Sequence, residues 1–221
     1  MSEQAVPSVS TDVWTVMSTA SAVRRYRPEP VADSVLETCL RAASWAPSGG
    51  NQQQWRFVVI RSAAVRAVIT EGARRTWDKM SAFYDLERPA DTATDAKSRV
   101  LRAMWEHMNH GGDAPVCVVC CTQPQRGVSD FQQGGSLYPA VQNFLLAARA
   151  QGLGAAITLW QDQCEDELRA SIGIPADWRV AALITAGWPK GRHHEVRRKP
   201  FEEMVAIDCW ERAWSMSGNH R

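Results

Sequence analysis

The chain has 221 residues, with 25 Lys and Arg against 24 Asp and Glu, so its formal net charge is +1. This balance gives no reason to expect nucleic acid or an anionic membrane as a partner, and no apolar run reaches the ~20 residues that a membrane span needs. Residues 1–11 are polar and lack the basic-then-apolar order of a signal peptide. We therefore expect a cytoplasmic protein whose residues 1–221 form a single domain.

The hydrophobic pattern predicts a mixture of helices and strands. Helices are expected over residues 11–20, 33–43, 64–77, 97–110 and 134–151, and strands over residues 57–60, 116–121, 155–159 and 181–186. The continuous apolar run 116–121 is typical of a central strand. Residues 81–95 are polar and contain Pro89, so we expect a mobile loop there, within a lid or helical excursion over about residues 62–112. Residues 1–12 are expected to form a polar tail.

Three of the six cysteines lie in the apolar run 116–121. Cys117 and Cys120 are three residues apart, so on a strand their side chains point to opposite faces of the sheet. This spacing favours buried strand thiols over a metal or redox site, and we expect no metal.

A run of small and amide residues, 46–55, joins the second predicted helix to the first predicted strand. Gly49 and Gly50 allow the backbone to come close to a flat ligand, and Asn51 and the three glutamines offer paired donors and acceptors. The pattern suits an uncharged polar heterocycle. An ordinary helix-to-strand turn is the alternative, and it would need only Pro, Ser and Gly.

The same run resembles the P-S-x-x-N-x-Q-P-W signature of the nitroreductase family of FMN flavoproteins. Five residues occupy its fixed positions, namely Pro47, Ser48, Asn51, Gln53 and Trp55, whereas Gln54 stands where the family usually has Pro. A further resemblance lies upstream of this run, at residues 30–43, and others lie downstream, at residues 113–116, 138–154 and 198–201. The similarity therefore covers roughly residues 13–205.

The resemblance implies an α+β fold with a mainly antiparallel central sheet flanked by helices. It also implies an intertwined homodimer, in which a C-terminal extension (about residues 202–221) reaches the partner subunit. The apolar segment 204–210 supports the dimer, because it would lie exposed on a monomer.

Residues that would bind FMN are carried over from the family motifs. They are Ser21, Arg24, Pro47, Ser48, Gly49, Asn51, Gln53, Ile157, Thr158, Leu159, Arg198 and Lys199. The resemblance implies that Arg24 lies beside the N1 and O2 edge of the flavin, where a cation raises the reduction potential. It also implies that residues 48–51 contact the flavin bound mainly by the other subunit.

The phosphate segment departs from the family pattern. Ser21 and Ala22 stand where the family has the second Arg and the Ser of its R-R-S-x-R motif. Arg198 would then carry most of the phosphate binding, with a hydrogen bond from Ser21. The departure predicts either weakened FMN affinity or a different flavin-like ligand.

Candidates for the substrate side are Trp77 and Trp105, which could stack on a planar molecule, and His107. His107 and His110 precede a strand and are possible acid–base groups, although solvent can supply protons in this chemistry.

These observations predict an FMN-dependent oxidoreductase. Electrons would pass from NADH or NADPH, by a ping-pong mechanism, to a flat electron-poor acceptor such as a nitroaromatic, a quinone or an enone. A non-catalytic flavin-binding or storage protein is one alternative, and a reductive dehalogenase-type flavoenzyme is another.

Overall fold

The computed structural model describes residues 9–214. Its helices are α1 (Val13–Thr19), α2 (Asp33–Ser44), α3 (Ala63–Tyr84), α4 (Ala96–His110), α5 (Asp130–Ala150) and α6 (Glu165–Ile172). Its strands are β1 (Trp55–Val59), β2 (Val116–Thr122), β3 (Gly154–Thr158) and β4 (Arg179–Gly187). Residues 1–8 and 215–221, which belong to the predicted N-terminal tail and C-terminal extension, lie outside the described residues.

The four strands form one antiparallel sheet in the order β1-β2-β4-β3. β2 and β4 are the inner strands, as the continuous apolar run in β2 predicts. The α+β fold class with an antiparallel central sheet is confirmed. In residues 9–214, no helix combines the length and apolar character needed to cross a bilayer.

Helices cover both faces of the sheet and create two cores. One core lies between the sheet and helices α2 and α5, and it includes Cys120 and Phe144. The other lies beneath α3, α4 and α6, and it includes Cys117 and Trp77. Cys117 and Cys120 therefore point to opposite faces, as their spacing predicts.

Two helices extend beyond the predicted limits. α3 continues to Tyr84, so the loop between α3 and α4 is shorter than the polar stretch suggests. α5 begins at Asp130, because Ser129 and Gln132 form a capping box at its first turn.

α6 was not predicted. It has only eight residues and ends at Gly173 in the left-handed conformation.

Residues 22 and 23 pair with the outer strand β3, and they bring the first predicted binding residues close to it. Ala22 forms a parallel bridge with Ala155, and the Val23 amide donates to the Ala155 carbonyl at 3.0 Å. A Cβ on Gly154 would lie 2.5 Å from Cγ1 of Val23, so this close approach requires glycine at position 154.

Candidate functional site

A cleft of about 80 Å³ opens between residues 20–22, strand β3 and the last turns of α5. It brings Ser21 and Ile157 together, although they are far apart in the sequence. The lining residues are Ala20, Ser21, Ala22, Gln142, Leu145, Arg149, Leu153, Ala155, Ala156, Ile157 and His193.

Two basic side chains line this cleft. Arg149 is only 5% exposed, its Nε donates to Thr19 Oγ1 at 2.8 Å, and burial lowers its pKa. Burial, and then the charge of Arg149, lower the pKa of His193. Among residues 9–214, no acidic side chain lines the cleft, so its electrostatic character suits an anionic or polar ligand group.

The His193 ring has one polar atom without a partner. Its Nε2 lies 3.4 Å from the Gly152 carbonyl, and this contact assigns the ring proton to Nε2 in the neutral form. Nδ1 is then an acceptor, and it is buried with no hydrogen-bond partner among residues 9–214. A ligand hydroxyl could satisfy it.

The end of β3 presents an apolar surface beside the cleft. The Ile157 side chain is 36% exposed, and Leu159 just beyond the strand is 57% exposed. Thr158 points inward instead, and its Oγ1 donates to the Leu183 carbonyl at 3.4 Å. Two of these three predicted residues are thus available to a planar ligand through their side chains.

Arg24 lies on the segment that borders β3. Its side chain is half-buried, and burial lowers its pKa. In the part of the chain that the structure describes, no hydrogen bond or ion pair to its guanidinium is recorded. A half-buried cation of this kind favours a ligand that carries negative charge.

Residues 46–55, which we call the amide loop, contain an unusual backbone conformation. Gly50, Asn51 and Gln53 have φ values of 59°, 53° and 52°, which are uncommon for the two residues with side chains. The Gln53 amide donates to Ser48 Oγ at 2.9 Å, and the Gly49 amide donates to Ser136 Oγ at 3.2 Å. Pro47 precedes the loop and is exposed.

A second cleft adjoins this loop, and amides and hydroxyls dominate it. Its lining residues are Ser48, Gly49, Gln52, Gln53, Gln54, Thr122, Gln125, Val128, Gln132, Gln133 and Ser136. Gln125 Nε2 donates to Gln52 Oε1 at 2.9 Å and also to Gln54 Oε1. Gln54, at the family's Pro position, therefore belongs to a local amide cluster. The two clefts share no lining residue.

Arg198 and Lys199 are exposed and line neither cleft. Arg198 donates to the neighbouring Arg197 carbonyl at 2.9 Å. The segment before it is held close to α1, because the Val196 amide donates to the Ser18 carbonyl at 2.8 Å. A role for Arg198 and Lys199 in phosphate binding stays a prediction.

The three substrate-side candidates lie on α3 and α4. Trp77 and His107 are buried in the core beneath these helices, so either could meet a substrate only if the helices moved. Trp105 is half-buried, with the Arg88 guanidinium 4.7 Å from its ring centre. His110 is exposed, and its Nδ1 is 3.3 Å from an Asp113 carboxylate oxygen.

The motif positions did not include Arg149 or His193. Arg149 lies in the last turn of a helix whose other inward residues are mostly apolar, and a buried charge on such a stripe is a usable signal. His193 reaches the cleft from an irregular segment after β4, and nothing in the local sequence indicates this contact.

Comparison with known proteins gives a consistent relationship. A sequence model described as the nitroreductase family matches residues 18–188. The chain is 30% identical to 5,6-dimethylbenzimidazole synthase of Rhodospirillum rubrum, over 77% of this chain and 79% of that protein. It is 28% identical to NADH dehydrogenase of Thermus thermophilus, over 88% and 95%. It is 24% identical to iodotyrosine deiodinase of Hydra vulgaris, over 92% and 75%.

Solved structures show the same fold. A BluB-like flavoprotein from Clostridium difficile superposes with a TM-score of 0.68 at 20% identity, covering 90% of this chain and 99% of that one. A nitroreductase with bound FMN from Bacteroides fragilis superposes with a TM-score of 0.65 at 19% identity, covering 90% and 99%.

Proposed function

The chain belongs to the nitroreductase family, and from that membership we propose that it is an FMN-dependent oxidoreductase. Electrons come from NADH or NADPH and pass, by a ping-pong mechanism, to a flat electron-poor acceptor such as a nitroaromatic, a quinone or an enone. The observation that carries the proposal is the cleft between residues 20–22 and β3.

The residues of this cleft fit FMN. Ile157 and Leu159 offer an exposed apolar edge for a planar ring, and His193 Nδ1 offers a buried acceptor for a ribityl hydroxyl. Ser21 contributes a hydroxyl and Arg149 a positive charge on the side that a phosphate would occupy. The proposal also keeps Arg198 and Lys199 as phosphate ligands, reached by a shift of the exposed segment that carries them.

Bound FMN supplies hydride transfer at N5 and gains negative charge on its ring when it is reduced. The chain itself binds the FMN, orients its ring and shields the ring from water. Arg24 offsets negative charge beside the ring, and its pKa, although lowered by burial, leaves it protonated.

The amide loop completes the site from a second subunit. Within one chain the loop and the β3 cleft line separate spaces. A homodimer in which Ser48, Gly49 and Asn51 of one subunit face the β3 cleft of the other would supply neutral donors to the edge of the flavin.

Reductive dehalogenation is the second candidate, and the similarity to iodotyrosine deiodinase over 92% of the chain favours testing it. A flavin-storage role is the third, because Ser21 and Ala22 replace two phosphate-binding positions of the family motif.

One anaerobic experiment separates these functions. The protein is reconstituted with FMN, and NADH or NADPH is added while the visible flavin band is followed. We expect bleaching, and then recovery of the band when a quinone or a nitroaromatic is added. A band that persists with both nucleotides would contradict the proposal and favour storage. Recovery with release of iodide from an iodotyrosine, but not with a quinone or a nitroaromatic, would favour the dehalogenase.

A further inference from the structure

His107 lies at the centre of a buried hydrogen-bond network on the underside of the candidate site. It projects from α4 and is only 4% exposed. Its Nε2 lies 3.2 Å from Thr185 Oγ1, and its ring centre is 6.2 Å from that of Tyr26. Its ring centre is 4.7 Å from that of Trp160.

The same network fixes the segment on both sides of Arg24. Tyr26 Oη donates to the Val23 carbonyl at 2.5 Å and lies 3.0 Å from Thr185 Oγ1. Thr185 is on β4, directly opposite Ala156 of the cleft. Residues 23–26 are therefore tied to the two strands that form the base of the site.

Next to His107, a second contact joins α4 to the same segment. Glu106 accepts two hydrogen bonds from the Arg25 guanidinium, at 2.5 Å from Nε and 2.8 Å from Nη2. Two consecutive residues of α4 thus contact the Arg24 segment, Glu106 at Arg25 and His107 at Tyr26. This helix belongs to the part of the chain that sequence patterns assign to a lid.

We propose that His107 is a positioning residue, which holds the segment around Arg24 through Thr185 and Tyr26, so that the guanidinium lies beside the flavin and stabilises its reduced form. The proposal rests on the proposed function, since it needs FMN beside Arg24. In this way the position of α4 would affect the relative affinity of the site for reduced and oxidised FMN.

The protonation state of His107 suits this role. The charged group that acts on it is Arg24, and Tyr26 and Thr185 are the neutral groups in contact. Burial and the positive charge of Arg24 lower the pKa of His107. The neutral ring accepts from the Thr185 hydroxyl through Nε2.

The test measures the dissociation constants of oxidised and reduced FMN and compares their ratio between variants. His107→Phe keeps an aromatic ring in the core but cannot form the hydrogen bond to Thr185. We expect the ratio of the reduced to the oxidised constant to rise about tenfold, the size of one well-placed hydrogen bond. His107→Gln retains a donor and an acceptor and should restore part of the effect.

A double-mutant cycle shows whether His107 acts through Arg24. Arg24→Gln alone should raise the ratio at least as much as His107→Phe, and adding His107→Phe to Arg24→Gln should change it no further. Met108→Ala, which disturbs the same core one residue along α4, should leave the ratio near that of the wild type. Hydrogen exchange of residues 22–27 in the FMN-free protein should accelerate in His107→Phe.

The outcomes are separable. Wild-type protein that binds no FMN would refute the proposed function and this inference with it. Wild-type protein that binds FMN, together with an unchanged ratio in His107→Phe, would refute the inference alone. An effect that adds to that of Arg24→Gln, or an equal effect of Met108→Ala, would also refute it, because His107 would then act on the core and not on Arg24.

Discussion

At the scale of single residues, the candidate site combines positive groups with very different exposure. Arg149 is buried in the cleft, Arg24 is half-buried at its border, and Arg198 is exposed and outside its lining. A charge-assisted hydrogen bond gains strength as water is excluded. The cleft residues therefore offer the stronger contacts, and Arg198 must move toward the cleft to match them.

Ser21→Arg should tighten FMN binding. Ser21 lines the cleft, and an Arg there restores one phosphate-binding position of the family motif. A charge-assisted pair contributes about 1.5–3 kcal/mol, or roughly one to two decades in affinity. Titration by flavin fluorescence gives the constant.

Riboflavin, which lacks the phosphate, is the matched ligand, and its affinity should stay unchanged in Ser21→Arg. Ser44→Arg at the exposed end of α2 is the matched charge control. Equal affinity for FMN in wild type and Ser21→Arg would mean that residue 21 does not face the phosphate.

His107 should make the fold sensitive to acid. Burial lowers its pKa from 6.5 to about 3, whereas the ring titrates near 6.5 in the unfolded chain. Between these values the unfolded chain binds a proton that the folded chain does not. The free energy of unfolding therefore falls with falling pH, by at most about 1.4 kcal/mol per pH unit, and the contribution is fully present above pH ~6.5.

Urea denaturation at a series of pH values tests this expectation. His107→Gln should lose stability less steeply than the wild type between pH ~6.5 and ~4. His110→Gln changes an exposed ring and should follow the wild type. Parallel curves for the wild type and His107→Gln would show that the buried ring does not control the acid response.

At the scale of elements, hydrophobic periodicity predicts the parts of the fold whose neighbours cover them completely. β2 is buried along almost its whole length, and α5 has a long row of buried residues on one face, so the sequence pattern predicts both elements. α6 is short, and only Leu168 within it is buried, which leaves too weak a pattern. The site likewise contains residues that the sequence motifs predict, since Ser21 and Ile157 both line the cleft.

Other site residues depend on contacts between distant segments. The sequence predicts His107 as a possible acid–base group before a strand, whereas tertiary packing against Tyr26 and Trp160 buries it. His193 depends on the path of an irregular segment. Single-sequence patterns carry no information about either contact.

Replacing glycine with alanine should have opposite effects on stability at Gly112 and Gly135. A Cβ on Gly112, in the turn after α4, would lie 2.3 Å from the Arg66 carbonyl oxygen of α3. Gly112→Ala should therefore destabilise the fold by about 2–3 kcal/mol. A Cβ on Gly135, within α5, would meet nothing within 4 Å, and Gly135→Ala should stabilise by about 0.5–1 kcal/mol.

Urea denaturation midpoints measure both changes, provided that the slope of the transition is the same as in the wild type. A stabilised Gly112→Ala variant would mean that the contact between this turn and α3 is looser than the structure has it.

At the scale of the whole molecule, several large apolar side chains have no cover within residues 9–214. Trp14 on α1, Trp45 at the end of α2 and Trp210 in the C-terminal segment are 76%, 78% and 93% exposed. Segment 205–214 folds back on itself, with the Trp214 amide donating to the Val205 carbonyl at 2.9 Å. Exposed apolar surface of this extent is typical of a subunit interface.

The proposed shared site makes a stronger prediction than dimer mass alone. Asn51→Leu damages the amide loop, and Arg24→Gln damages the β3 side. If each flavin site takes its loop from one subunit and its β3 cleft from the other, a mixed dimer of the two variants has one site with both defects and one intact site. Each variant alone has no intact site, because both of its sites carry the same defect.

Unfolding and refolding the two variants together, at equal amounts, should therefore restore tight FMN binding to about a quarter of the sites. Light scattering should give a dimer mass for both variants and for the mixture, which excludes a change of assembly. The control is Arg24→Gln refolded with the double variant Arg24→Gln/Asn51→Leu, in which every site keeps the Arg24 defect and none should recover. Sites built within one chain would stay defective in the mixture as well, and recovery at the level of the control would contradict the shared site.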